Sequence, residues 1–102
     1  MNVIAKPRLK VFWQLHPPAQ IPLTIWWEHM RRTRYENFNV LAARFPNADQ
    51  VGHYTIFNIG GNKYRLVVKI IYRSQRIYID RILIHSDYDF WSKEHLKILK
   101  RS

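Results

Sequence analysis

The chain has 102 residues, and its 17 Lys and Arg side chains against 7 Asp and Glu give a formal net charge of +10. This length suits one domain, which we predict over residues 1–102. The charge favours a polyanionic partner, and the alternative is a basic surface that is merely solvated. The absence of cysteine excludes disulfides and thiol chemistry. Because the sequence shows neither a signal peptide nor a long apolar run, we expect a cytoplasmic protein without a membrane partner.

The first third of the chain predicts a short strand and two helices. Val3 and Ile4 form an apolar start that could pair at the edge or in the centre of a later sheet. Pro7 suits the first turn of a helix that Pro17-Pro18 would end, and a second helix begins between residues 19 and 22. Apolar residues recur at helical spacing at Leu9, Phe12, Trp13 and His16, and again at Leu23, Trp26, Trp27 and Met30. We interpret the tryptophans as core residues rather than a base-stacking platform.

An arginine cluster and a third, short helix follow. The cluster comprises Arg31, Arg32 and Arg34. Cations in the last turn of a helix complement its dipole, which explains part of the cluster without a ligand. Phe38-Asn39 resembles a hydrophobic staple and N-cap for a helix over residues 40–45, and residues 47–49 are predicted to form a turn.

Three β-rich runs, over residues 53–59, 63–72 and 76–85, predict an antiparallel meander. Gly60-Gly61-Asn62 joins the first two runs, and glycine supplies the positive φ of a tight hairpin. A last short helix is predicted over residues 90–99. This order of elements predicts an α+β fold in which the N-terminal helices pack on one face of a mainly antiparallel sheet.

The middle run places a core face and a cationic face on one strand. Alternation groups Tyr64, Leu66, Val68, Ile70 and Tyr72 against Lys63, Arg65, Val67, Lys69 and Ile71. In the third run it groups Arg76, Tyr78, Asp80, Ile82 and Ile84 against Ile77, Ile79, Arg81, Leu83 and His85. Which of these two groups shares the cationic face is open. If it is the second, Lys63, Arg65, Lys69, Arg81 and His85 line one surface, and an anion is its natural ligand.

The compact group of polar reactive side chains is His85, Tyr88 and Asp89. Metal-free RNA cleavage needs one proton removed from the 2′-hydroxyl, another supplied to the leaving oxygen, and stabilisation of the phosphate charge. Histidine can transfer protons near neutrality, and arginine can hold two phosphate oxygens. Each residue also has a structural interpretation: His85 as a strand-end turn residue, Tyr88 as a core aromatic, Asp89 as a helix cap.

The other histidines give no sign of a metal site. They are His16, His29, His53 and His95, in four separate elements without ligand spacing. We therefore predict neither a metal nor a cofactor.

Four segments follow one another in the order "FPNADQVG", "FNIGGNKYRLVVKI", "IYID" and "HSDYD". Together they resemble the HigB family of bacterial toxins in the RelE-like superfamily. The resemblance implies a toxin of a type II toxin–antitoxin pair, an endoribonuclease that cuts mRNA on the translating ribosome and is neutralised by a HigA-like helix-turn-helix antitoxin. Two features depart from the family pattern: the tryptophan-rich second helix and the long basic tail after Asp89.

The resemblance carries Asn62, Lys63 and Arg65 onto the central strand, and His85, Tyr88 and Asp89 onto the end of the sheet. The predicted catalytic set is His85, Tyr88, Asp89 and Arg65. The predicted RNA-binding set is Asn62, Lys63, Lys69, Arg73 and Arg81. The division into catalytic and binding roles is an inference from side-chain chemistry.

Two other functions compete with this interpretation. The basic sheet face could belong to a non-catalytic module that binds RNA or the ribosome and blocks translation without cutting. A DNA-binding subunit is disfavoured, because Pro17-Pro18 interrupts the early helices and no short helix-turn-helix arrangement is present.

Overall fold

The computed structural model describes residues 1–61 and 63–84. Its elements are β1 (Asn2–Ile4), α1 (Lys6–Leu15), a 3₁₀ turn (Pro17–Ala19), α2 (Gln20–Arg32), α3 (Phe38–Arg44), β2 (Asp49–Val51), β3 (Tyr54–Ile59), β4 (Tyr64–Ile71) and β5 (Arg76–Ile84). The strands form a sheet in the order β1-β5-β4-β3-β2, with β1 parallel to β5 and the other pairs antiparallel. The predicted meander is confirmed, and the apolar start of the chain is an edge strand. In this described part, no helix has the length and apolarity to cross a membrane.

β4 is the middle strand of the sheet and has two different faces. Tyr64, Leu66 and Val68 are buried in the main core. Arg65 is half-buried and Lys69 is exposed, and both lie on the opposite face. The predicted separation of core and cationic residues on this strand is therefore confirmed.

The hairpin between β3 and β4 depends on two glycines. Gly60 and Gly61 have φ angles of 64° and 61°, in the left-handed region that glycine enters without steric cost. A Cβ on Gly60 would lie 3.3 Å from Cδ2 of Tyr64. A larger residue at position 60 would therefore be strained and would also press on the ring that begins β4.

All three helices cover one face of the sheet, which confirms the α+β fold. The main core joins Leu9, Leu23, Trp26, Met30 and Leu41 of the helices to Phe57, Leu66, Val68, Ile77 and Ile79 of the strands. Trp26 packs edge-on against Phe57, with ring centroids 5.5 Å apart. Trp27 is only partly buried, with the Lys6 ammonium 3.7 Å from its ring centroid. The core interpretation thus holds fully for Trp26, whereas Trp27 lies at the rim.

The arginine cluster after α2 has carboxylate partners. Arg31 and Arg32 each approach Glu28 at 3.0 Å, and Arg34 approaches Glu36 at 2.8 Å. The hydrogen bond from Arg31 holds the pKa of Glu28 below its usual value. Together with the helix dipole, these ion pairs explain the cluster as part of the helical layer.

The start of α3 differs from the sequence-based prediction. The N-cap is Asn37, not Asn39, and its Oδ1 accepts a hydrogen bond from the Val40 N–H at 3.0 Å. Asn37 has the extended backbone that an N-cap requires, whereas Asn39 already lies in the first turn of the helix. The helix therefore spans Phe38–Arg44 rather than residues 40–45.

A turn at residues 46 and 47 precedes a short strand, β2, which the sequence does not predict and which begins at Asp49, the last residue of the predicted turn. Asp49 pairs with Ile56 and Val51 with Tyr54. Gly52, at a φ of 61°, makes the tight connection to β3. The strand is short and mostly exposed, so pairing with the edge of β3 defines it rather than a hydrophobic pattern of its own.

The N-cap assignment gives a test of this description of α3. We expect Asn37→Ala to lower the free energy of unfolding by about 1 kcal/mol, because it removes the acceptor for the Val40 N–H. Asn39→Ala should leave stability unchanged or slightly raised, since alanine is the better residue inside a helix. Urea denaturation of the two variants compares them directly. A loss in Asn39→Ala that equals the loss in Asn37→Ala would contradict the assignment.

Candidate functional site

The sheet face opposite the helices, called the outer face, is defined by the strand register. Directly paired residues of antiparallel strands point to the same side. The outer face carries Tyr54, Ile56 and Asn58 on β3, Arg65, Val67, Lys69 and Ile71 on β4, and Arg76, Tyr78, Arg81 and Leu83 on β5. The structure therefore brings three of the predicted cations, Arg65, Lys69 and Arg81, onto one surface.

β5 reaches this arrangement through a β-bulge at Asp80. Val67 pairs with Arg81 and Val68 with Ile79, so Asp80 is the extra residue in the register. Both alternating groups predicted for this strand are therefore wrong beyond the bulge. Ile77, Ile79, Ile82 and Ile84 all pack in or against the main core, and Arg76, Tyr78, Arg81 and Leu83 lie on the outer face.

Two arginines hold the bulge. Arg8 of α1 donates from Nη1 to the carbonyl oxygen of Asp80 at 2.7 Å. Arg81 donates from Nε to the carboxylate of Asp80, also at 2.7 Å. A bulge disrupts the ladder of backbone hydrogen bonds, and Arg8 supplies a donor from the helical layer. The position of Arg81 thus depends on a contact from the other side of the sheet.

Lys69 lies between two tyrosines on the outer face. Its Nζ is 5.1 Å from the centroid of the Tyr54 ring on β3. Tyr78 is its direct partner on β5 and is 37% exposed. An ammonium flanked by aromatic rings offers a charge for phosphate and flat surfaces on which bases can stack.

Arg65 lies four residues from Lys69 on β4, about 13 Å along the strand. Its Nη1 donates to the Tyr64 carbonyl oxygen at 3.3 Å. Between the two cations, Val67 is fully buried with Ile56 in a second, smaller apolar cluster. The cations therefore surround an apolar patch rather than an open polar surface.

The other predicted site residues lie at different places. Lys63 is exposed and directly precedes β4, at the same end as Arg65. Arg73 lies in the turn after β4, at the opposite end of the strand, so the structure does not bring it near Arg65. The remaining predicted residues, Asn62, His85, Tyr88 and Asp89, lie outside the described part of the chain, as does the predicted helix over residues 90–99.

Sequence reasoning missed four polar or aromatic residues of the outer face: Tyr54, Asn58, Arg76 and Tyr78. A signal for two of them was present. The isoleucines of β5 at positions 77, 79, 82 and 84 break a strict alternation between 79 and 82, which indicates a bulge and places Arg76 and Tyr78 with Arg81. Asn58 is recognisable only from the β3–β4 pairing, which places it opposite Arg65.

A cleft opens at the edge of β3, beyond the last residue that β2 pairs. It has a volume of about 230 Å³, and its lining includes Arg44, Phe45, Asn47, Phe57 and Asn58. A second, more apolar cleft of about 210 Å³ shares Phe45, Phe57 and Asn58 with it. The first cleft lies at the sheet edge between the end of α3 and β3, and Asn58 is its residue paired with Arg65 of the outer face.

Comparison with known proteins identifies the family. A family model described as HigB_toxin, the RelE-like toxic component of a toxin–antitoxin system, matches residues 19–91. The chain belongs to the HigB toxin family. The mRNA interferase toxin HigB of Escherichia coli K12 is 29% identical over 99 residues, covering 93% of this chain and 94% of that protein. The mRNA interferase HigB of Shigella flexneri has the same identity and coverage. A further mRNA interferase HigB, from Escherichia coli O6:H1 strain CFT073, is 22% identical over 92 residues, 87% of this chain and 89% of that protein.

Family membership confirms the resemblance drawn from the sequence. Residues 19–91 contain all four quoted segments, from "FPNADQVG" to "HSDYD". The three helices on a five-stranded, mostly antiparallel sheet agree with a RelE-like fold. As a HigB-family toxin, the chain has an antitoxin as its partner.

His29 is a structural residue of this HigB-family chain. Its Nε2 lies 2.5 Å from the Tyr35 hydroxyl, and its ring packs edge-on against Phe45 with centroids 5.4 Å apart. Burial, and secondly the charge of Arg44, lower the pKa of His29. The direction of the hydrogen bond between Nε2 and the Tyr35 hydroxyl is set by the tautomer of the ring. Within residues 1–61 and 63–84, no group of three or more His, Asp or Glu could hold a metal ion.

The lowered pKa of His29 predicts a pH dependence of stability. The folded protein favours the neutral ring, so the unfolded chain takes up a proton first as the pH falls. The contribution of His29 is complete above pH ~6.5 and is lost as the pH falls from there towards the lower pKa of the folded protein. Urea midpoints between pH 7.5 and pH 5 should fall less in His29→Gln than in the parent. His53→Gln, at an exposed turn, is the matched control, and an unchanged slope in His29→Gln would contradict the prediction.

Proposed function

We propose that the chain is an mRNA endoribonuclease that acts in translation and cleaves by attack of the RNA 2′-hydroxyl, without a metal ion. The relatives that match nearly the full length are named mRNA interferases. The proposal covers residues 1–102 as one domain in the cytoplasm. Its partners are mRNA on the ribosome and a HigA-like helix-turn-helix antitoxin.

The observation that supports an RNA site most directly is the convergence of charge at one end of the outer face. Arg65 and Arg81 lie on neighbouring strands around the buried Val67, with Lys69 further along β4. The last residue of β5, Ile84, pairs with Tyr64, next to Arg65. His85 is the residue that follows Ile84 in the sequence.

These residues match the requirements of the chemistry. The 2′-oxygen attacks the adjacent phosphorus, the bond from phosphorus to the 5′-oxygen breaks, and the products carry a 2′,3′-cyclic phosphate and a 5′-hydroxyl. Arg65 would neutralise the charge that grows on the phosphate oxygens. His85, Tyr88 and Asp89 are the groups proposed to take the proton from the 2′-hydroxyl and deliver one to the leaving oxygen.

Cations on a rigid strand suit the positioning part of this task. Phosphate contacts fix the register of a nucleic acid, whereas contacts to bases carry the sequence information. In this proposal Lys63, Lys69 and Arg81 hold neighbouring phosphates of the strand being cut. Arg73, at the far end of β4, contributes to binding only through longer RNA.

Induction of the chain in a bacterial host tests the activity. Messages would be compared in matched pairs, one translated and one with a disabled start codon, and their 5′ ends mapped. We expect new ends in the translated message only. The double variant Arg65→Glu, His85→Ala should lose both the ends and the growth arrest, because it removes the phosphate contact and a proton-transfer group.

Lys10→Glu supplies the matched charge reversal, since Lys10 is exposed on α1 in the helical layer. It should retain cleavage, and thermal melting should confirm that each variant is folded. Full toxicity of the double variant would contradict the site assignment. Growth arrest without new ends would contradict cleavage and favour the non-catalytic binding module.

Salt dependence of RNA binding tests the role of the individual cations. For single strands, the slope of log K against log salt changes by about 0.7 for each phosphate contact. Lys69→Ala and Arg81→Ala should each reduce the slope of binding to a single-stranded oligonucleotide by about that amount. Lys10→Ala should leave the slope unchanged. Equal slopes in all three variants would remove Lys69 and Arg81 from the RNA-binding set.

A further inference from the structure

We propose that the cleft at the edge of β3 binds a nucleobase of the RNA, adjacent to the phosphate held by Arg65. This inference rests on the proposed function and adds a subsite that reads the base. The cleft residues that would contact the base are Arg44, Phe45, Asn47 and Asn58.

The location of the cleft favours this occupant. Asn58 is the direct partner of Arg65 on the neighbouring strand, and such pairs have Cα atoms only about 4.5–5.5 Å apart. β2 pairs with β3 only as far as Ile56. The sheet edge beside Asn58 is therefore not covered by β2, and in this proposal the RNA strand held at Arg65 runs past the cleft.

The lining of the cleft matches the chemistry of a base. The Arg44 guanidinium lies 5.1 Å from the centroid of the Phe45 ring, and both guanidinium planes and aromatic rings are surfaces on which unstacked bases lie. The amides of Asn47 and Asn58 each offer a donor and an acceptor. Side chains of this kind can hydrogen-bond the polar edge of a base while its faces remain in apolar contact.

The size of the cleft also favours a base over a folded protein segment. Its volume of about 230 Å³ is below the roughly 300–1,000 Å³ of pockets for drug-sized ligands. One flat heterocycle suits this volume. The lining combines apolar side chains, such as Phe45 and Phe57, with the polar Arg44, Asn47 and Asn58, whereas the adjoining cleft of about 210 Å³ is more strongly apolar.

The test measures base preference rather than total activity. The 5′ ends of translated messages would be mapped across many cleavage sites for the parent, Asn58→Ala and Asn47→Ala. A lost amide contact should weaken the preference for one base, at one position next to the cut, by about fivefold or more. Asn39→Ala is the matched control, because Asn39 is an exposed asparagine of α3 outside the cleft lining; it should retain the parental preference.

The outcomes separate this inference from the proposed function. No cleavage by the parent would overturn the proposed function itself. Cleavage by the parent, with the same base preference in both folded cleft variants, would overturn the subsite alone. Unchanged base preference together with weaker neutralisation by the antitoxin would assign the cleft to the protein partner and would also overturn it. If Asn58→Ala fails to fold, Asn47→Ala decides the question, because Asn47 lies outside the strands.

Discussion

The structure depends on one constraint: β4 must serve the hydrophobic core on one face and carry cations on the other. Leu66 and Val68 are fully buried under the helices, while Arg65 and Lys69 lie on the outer face of the same strand. The helices form the core on one side only, so they can stabilise the strand without covering its cations. Because the two functions alternate residue by residue, a shift of one position would exchange them. Both neighbouring strands fix this register by pairing along β4.

On β5, the β-bulge at Asp80 allows one strand to place apolar residues in the core and a cation on the outer face. With strict alternation, the isoleucines at positions 77 and 79 would lie on the opposite face from those at 82 and 84. The bulge lets all four reach the core and moves Arg81 outward beside Val67. Arg8 of α1 donates to the bulge carbonyl, so the helical layer contributes to the position of a cation on the far side of the sheet. Stability of the core and geometry of the cationic face are thereby linked through one residue.

Elements with a long hydrophobic pattern were predictable from the sequence. Two helices, three strands and the glycine hairpin follow from residues such as Leu23, Met30 and Gly60. The bulge of β5 was missed although the isoleucine pattern indicates it, whereas the other failures occur where only tertiary context decides. β2 has one apolar residue, Val51, and exists because β3 offers an unpaired edge. Asn37 and Asn39 have equal intrinsic preference for a cap, and the backbone conformation selects Asn37. The cleft is lined by residues of α3, of the turn after it and of β3. Because these residues come from separate segments, no local sequence pattern predicts that they lie together.

The cations of the outer face and the neighbouring cleft together indicate how a small toxin could select its RNA target. Phosphates are identical along any RNA, so Arg65, Lys69 and Arg81 alone would bind every sequence equally. Groups that accept and donate hydrogen bonds at a fixed distance from those cations are needed for discrimination. Asn58, paired directly with Arg65, is the candidate for such a group because the β3–β4 register sets its distance from that cation. In the proposed function, a rigid sheet would combine strong, nonspecific attraction with weaker, selective contacts, and the register of the two strands would fix the position of the base that is read.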